Sequence, residues 1–166
     1  VPQRSKGETF NGSWQAFAMN DYVLRYSDIM LMRAEALIEL GRLAEARTII
    51  NDIRQRAKNS VDKHIEYAKD QCDIALYPES YFQNKETARK CLRWERRLEM
   101  AMENGRFFDL RRWGIASETL NKYFESEKKD QYGEQTYAQY LKDAKFTPGK
   151  NEFYPVPYNQ LYYIPG

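Results

Sequence analysis

Between Tyr26 and Ala57, apolar side chains recur every three or four residues in two runs separated by a single short break. The first run begins at about Tyr22 and carries Tyr26, Met30, Ala34, Leu37 and Leu40 on one helical face. Gly41 then supplies the left-handed residue on which helices commonly end. After Gly41-Arg42 a second stripe of Leu43, Ala46, Ile49, Ile50, Ile53 and Ala57 runs to about Lys58. Two amphipathic helices joined by so short a turn must lie antiparallel, so the chain is predicted to contain a helical hairpin.

Registered against the tetratricopeptide pattern, Ala34 and Ala46 fall where that repeat needs small residues for close helix approach, and Ile50 and Ile53 fill larger slots. A lone repeat cannot bury its own apolar face and must stack on neighbours, most of which are expected outside this chain. The predicted fold class is therefore all-α, with tetratricopeptide-like hairpins, long loops and an extended carboxy-terminal segment. Ser60 is predicted to cap a third helix with Val61, Ile65, Ala68, Cys72 and Ala75 on one face, ended by Pro78. A fourth helix is expected from Lys85 to Glu103, closed by Asn104-Gly105, and a short fifth from Arg106 to Trp113, closed by Gly114. Ser117 is expected to cap a helix through Phe124, and a last short helix is expected near Gln135 to Lys142. Beyond it, Thr147-Pro148-Gly149 and Tyr154-Pro155-Val156-Pro157 impose turns and extended chain. Residues 1–20 lack periodicity and are expected to be a loop or a remnant of an upstream region, with residues 21–166 forming one helical domain around one core.

No apolar run approaches the roughly 20 residues that cross a bilayer. The 26 basic and 24 acidic side chains are interspersed, so no one-signed field attracts nucleic acid, which is an unlikely partner. Cys72 and Cys91 fall short of a disulfide framework and match no zinc spacing. The chain starts Val1-Pro2-Gln3 without an initiator Met or an export signal, and reads as a processed or truncated product whose address lies upstream.

Periodicity on the fourth helix sets Glu95 on the face of Ala88, Leu92, Leu98 and Met102, which demands a charge partner, with Arg25, Arg106 and Arg112 as candidates. Glu99, one turn on, makes the pair resemble a general acid and base, yet no adjacent nucleophile supports catalysis. Structural ion pairing is the favoured role for Glu95 and Glu99, and for Asp109 with Arg106 and Arg112. His64 is the only histidine and sits beside Lys63 on a polar face, which suits solvation. Serine, zinc and cysteine–histidine chemistries lack their motifs, and no cofactor is expected. The aromatic complement of 13 Tyr, 8 Phe and 3 Trp suits a surface that binds something. Trp14, Phe10 and Asn11 in the opening segment, with Tyr77, Tyr81 and Phe82 around Pro78, are the candidate ligand contacts, chosen on ring placement alone.

Three stretches together resemble the SusD/RagB family of bacterial outer-membrane nutrient-binding proteins. Arg25-Tyr26-Ser27-Asp28-Ile29-Met30-Leu31-Met32-Arg33-Ala34-Glu35-Ala36 is similar to its helix-opening motif. Glu95-Arg96-Arg97-Leu98-Glu99, followed by Glu103 to Gly114, is similar to its arginine-tryptophan block, and Phe153 to Pro157 to its closing element. Asn104 stands where that family often has Gly, and Asn also tolerates a left-handed cap. The resemblance implies the carboxy-terminal portion of a surface-exposed protein that captures glycans or other nutrients for a SusC-like TonB-dependent transporter. It further implies noncovalent binding without catalysis, and membrane attachment only through a lipid anchor on the missing amino-terminal part. The competing expectations are a tetratricopeptide-like scaffold that binds only protein, and a glycosidase acting through Glu95 and Glu99.

Overall fold

The computed structural model describes residues 24–64, 73–128, 141–157 and 160, with residues 62–64 described by their backbone alone. The protein is all-α, with no strand among the described residues. It divides after Glu99 into two compact units. Each holds its own cluster of buried side chains, where the sequence suggested a single core.

The first unit opens with α1, Tyr26–Glu39, a run rich in Leu, Met, Ala and Glu that favours helix along its length. It ends in a Schellman closure: Gly41 takes φ +79°, Gly41 N–H donates to the Ile38 carbonyl at 3.0 Å, and Arg42 N–H donates to Leu37 at 2.8 Å. The chain reverses there into α2, Leu43–His64, and the two helices pack against each other as the expected hairpin. Ala34 and Ala46 are fully buried in it, beside Ile50 and Ile53, so their small side chains admit close helix approach. The buried face of α1 is nevertheless rotated from the predicted stripe. Ser27, Asp28, Leu31, Ala34, Leu37 and Ile38 point inward, whereas Tyr26 and Leu40 are 79% and 72% exposed. Periodicity defines a stripe only to within a neighbouring residue when apolar side chains surround most of the helix.

Ser60 does not cap a new helix. Residues 60–64 continue α2 without a break, because no glycine or proline interrupts the ladder and a serine caps only when its own backbone leaves helical geometry. Ile65, Ala68 and Cys72 lie outside the described residues, as does the side chain of His64, and Ala75 is in non-helical chain. A 3-10 turn, Glu79–Phe82, follows Pro78 and delivers the chain to α3, Lys85–Glu99, which packs on both α1 and α2. Asn84 stands ahead of α3 and accepts the Thr87 N–H at 2.9 Å, which satisfies one of the orphan donors of the first turn. The helix ends four residues before Glu103. Met102 and Asn104 both take left-handed φ, +67° and +60°, so Met102 cannot continue the helix and is 97% exposed, and Leu98 is exposed as well. Glu95 therefore shares its buried face with Ala88, Cys91, Leu92 and Arg96.

In the second unit α4, Arg106–Arg112, ends on left-handed Gly114 in the same closure as α1, with Ile115 N–H donating to Leu110 at 3.0 Å. The next helix, α5, spans Ala116–Glu127. It begins one residue before Ser117, whose hydroxyl accepts a bond from Asn121 inside the helix instead of capping it. Leu110, Ala116 and Phe146 form the buried cluster, flanked by Phe107, Ile115, Leu120 and Phe124. Phe146 arrives from the irregular carboxy-terminal chain, where Gly149 takes φ +79° within a turn. The helix expected near Gln135 to Lys142 falls almost wholly outside the described residues.

Candidate functional site

Seven charged side chains converge along the seam where α1, α2 and α3 meet. At the start of α1, Arg25 donates from Nη1 to Glu99 Oε1 at 3.0 Å and from Nη2 to the Glu99 carbonyl at 2.7 Å, so a guanidinium covers an exposed helix C-terminus. Arg56 of α2 reaches the same Glu99 oxygen. One turn earlier Arg54 donates from Nη1 to Glu95 Oε2 at 2.7 Å, and Arg96 donates from Nη1 to Asp28 Oδ1 at 2.6 Å. The partner of Glu95 is thus Arg54, not Arg25, Arg106 or Arg112. Asp28, Arg54, Arg56 and Arg96 were not singled out from the sequence. The signal was there for Arg96, which lies four residues from Leu92 and eight from Ala88 on the same buried face.

Burial decides how these carboxylates titrate. Glu95 is 4% exposed, and burial pushes its pKa above the ordinary value despite the opposing Arg54 hydrogen bond and charge, with Glu99 adding in the same direction. Burial also acts to raise Glu99. There the neighbouring Ser27 hydroxyl and the Arg56 and Arg25 guanidiniums outweigh it, so Glu99 sits below the ordinary value. Both carboxylates are held by guanidiniums, and the buried Glu95 faces the helix seam. Such an arrangement locks helices together. It also joins two of the sequence motifs to each other, since Arg25 and Asp28 of the first pair with Glu99 and Arg96 of the second.

Beside this seam lies the aromatic loop. Tyr77, Tyr81 and Phe82 are brought together: the Tyr77 ring is 6.1 Å from Tyr81 at 41° and 6.2 Å from Phe82 in an edge-on contact. They differ in burial. Phe82 is 5% exposed and belongs to the core of the first unit, Tyr77 is half-buried, and Tyr81 is 48% exposed. Burial drives the Tyr77 hydroxyl up to about 12, which Arg54 partly opposes. Arg54 stacks over the Tyr77 ring at 4.4 Å, and Asn51 hydrogen-bonds its backbone. Of the three rings Tyr81 is the most exposed. Trp14, Phe10 and Asn11 lie outside the described residues. A cleft of about 420 Å³ opens near the start of α1, where Leu24, Tyr26 and Met30 meet Arg25 and Arg56 of the ion-pair seam.

In the second unit Asp109 is buried and accepts from Arg112 Nε at 3.0 Å. Arg112 and Arg106 approach the Trp113 ring at 4.8 and 5.8 Å. Arg111 lies 4.9 Å from the exposed Phe153 ring, and Phe107 lies 6.0 Å from Tyr154. The free thiol of Cys91 is buried, and burial raises its pKa away from reactivity. Among the described residues no group of three or more His, Cys, Asp or Glu is placed to hold a metal ion. No helix among them is long and apolar enough to cross a membrane.

A hairpin closed by a left-handed glycine, packed on a third helix with buried ion pairs along the seam and an aromatic loop beside it, defines an all-α helical framework. The chain belongs to the SusD family, whose family model matches residues 5–166. Members of that family are non-catalytic binding proteins, typically outer-membrane lipoproteins, that work with SusC-like transporters and glycans. No curated protein matches the chain.

Proposed function

We propose that this protein is a non-catalytic component of an outer-membrane uptake system that captures an oligosaccharide or related nutrient for a SusC-like TonB-dependent transporter. It acts at the cell surface, held there by a lipid anchor, and binds its ligand noncovalently through stacking of ring faces and hydrogen bonds to hydroxyls. The observation that carries this reading is the match to the SusD family over residues 5–166. The seam supports it, because the carboxylates that most resemble an acid–base pair are occupied by Arg54, Arg25 and Arg56. The test is calorimetric titration of the full-length protein with a panel of oligosaccharides, alongside co-purification with the transporter. Saturable binding to at least one glycan is the expected result. Hydrolysis that is lost in both Glu95→Gln and Glu99→Gln while the fold survives would replace it with the glycosidase reading.

A protein-only scaffold draws support from α1, where the apolar side chains of Ile29 and Met32 are exposed. Partner capture without any glycan binding would favour it.

A further inference from the structure

Two residues one turn apart on α2 hold the aromatic loop in place. The Asn51 side chain accepts the Tyr77 N–H at 2.8 Å and donates to the Tyr77 carbonyl at 3.0 Å, so it pairs that backbone in both directions as a neighbouring strand would. Arg54 donates from Nε to the Ala75 carbonyl at 2.7 Å while its Nη1 is committed to Glu95. The same guanidinium plane covers one face of the Tyr77 ring. A loop backbone at a surface is ordinarily satisfied by water, and here three of its hydrogen bonds are taken by side chains of a helix. Contacts then run from Glu95 through Arg54 and Tyr77 to the half-exposed Tyr81 ring.

We propose that Asn51 and Arg54 are positioning residues that hold Tyr81 as a preformed face on which a sugar ring stacks, with Glu95 fixing the orientation of Arg54. The inference rests on the binding role proposed above. Its physical content is preorganisation: a ring already fixed in place does not lose its freedom again when the ligand arrives. Arginine is required because one planar fork serves a carbonyl, a carboxylate and a ring face together, which a lysine ammonium cannot do.

The test uses the full-length protein with Arg54→Lys and Asn51→Leu, read in two ways. Without ligand, amide exchange at Tyr77 and ring relaxation of 13C-labelled Tyr81 are measured. Faster exchange and a looser ring in both variants are expected, and an equally rigid Tyr81 in Arg54→Lys overturns the proposal. With ligand, maltoheptaose and cellohexaose are titrated into wild type, Arg54→Lys, Tyr81→Ala and the double variant. Arg54→Lys is expected to weaken binding about threefold to tenfold alone and to add nothing once Tyr81 is absent. A loss that persists in the Tyr81→Ala background shows that Arg54 acts only on the fold and sinks the positioning role. If neither glycan binds wild type, the stacking role is overturned, whereas the binding role itself is decided by the wider oligosaccharide panel, and the ring relaxation still decides whether Arg54 positions Tyr81.

Discussion

Glu95 and Glu99 stand one turn apart on one helix and respond to burial in opposite ways, because the number of cations around each differs. Glu95 has one guanidinium bonded to it and lies almost wholly out of water, so the charged form is costly. Glu99 has two guanidiniums, so the charged form is favoured. Glu95→Ala leaves Arg54 buried without its carboxylate and is expected to cost about 3 kcal/mol in urea denaturation. Glu45→Ala, at the exposed pair with Arg42, is expected to leave the midpoint where it was. The pH dependence follows from the two directions. Glu99 contributes stability above the ordinary glutamate pKa of about 4.3, and that contribution is lost as pH falls through its lower folded value. Glu95 does the reverse, since the native protein keeps a proton that the unfolded chain has released, and stability declines as pH rises from the ordinary value through the raised one. Melting curves between about pH 3 and 7 should therefore lose part of their acid limb in Glu99→Gln. In Glu95→Gln they should lose the decline above the ordinary value.

At the level of elements, the same two devices recur in both units. Each of the hairpin turn and the end of α4 closes on a left-handed glycine. Each unit also uses a helical asparagine to pair the backbone of an incoming aromatic residue in both directions. Asn51 does this for Tyr77, and Asn121 for Phe146, where the bonds are 2.8 and 3.0 Å. Asn121→Ala strands the N–H and carbonyl of a residue whose ring is buried. It is expected to cost about 1–2 kcal/mol and to speed amide exchange at Phe146. Ala34→Leu tests the hairpin itself. A larger side chain at a fully buried position of the hairpin should lower stability by about 1–3 kcal/mol through overpacking, read as a lower urea midpoint. The helices themselves were legible from periodicity and glycine placement. Their ends were not: Ser60 offered a cap that a continuing ladder overrode, Ser117 offered one for a helix that already starts at Ala116, and Met102 left the helix that its hydrophobicity suggested.

Across the whole molecule, the aromatic loop separates roles that composition alone merges. Tyr81 reaches solvent and Phe82 is in the core, although they are adjacent in sequence. Tyr81→Ala is expected to weaken oligosaccharide binding by about tenfold in calorimetry with an unchanged melting temperature. Phe82→Ala is expected to lower stability by about 3 kcal/mol in urea denaturation.

The sequence by itself determined the helical class, the antiparallel sense of the first hairpin, the small residues at its crossing and the burial of Glu95. These are local properties, set by a period of 3.6 residues, a short turn and the conformational freedom of glycine. Only the tertiary structure decided which cation meets which carboxylate. Arg54 and Glu95 lie 41 residues apart, Asp28 and Arg96 lie 68 apart, and Arg25 and Glu99 lie 74 apart. Periodicity turns a side chain toward a seam, but the identity of what stands across that seam depends on how three helices pack. The same holds for the loop, where adjacent Tyr81 and Phe82 end on the surface and in the core according to how the loop packs on the helices.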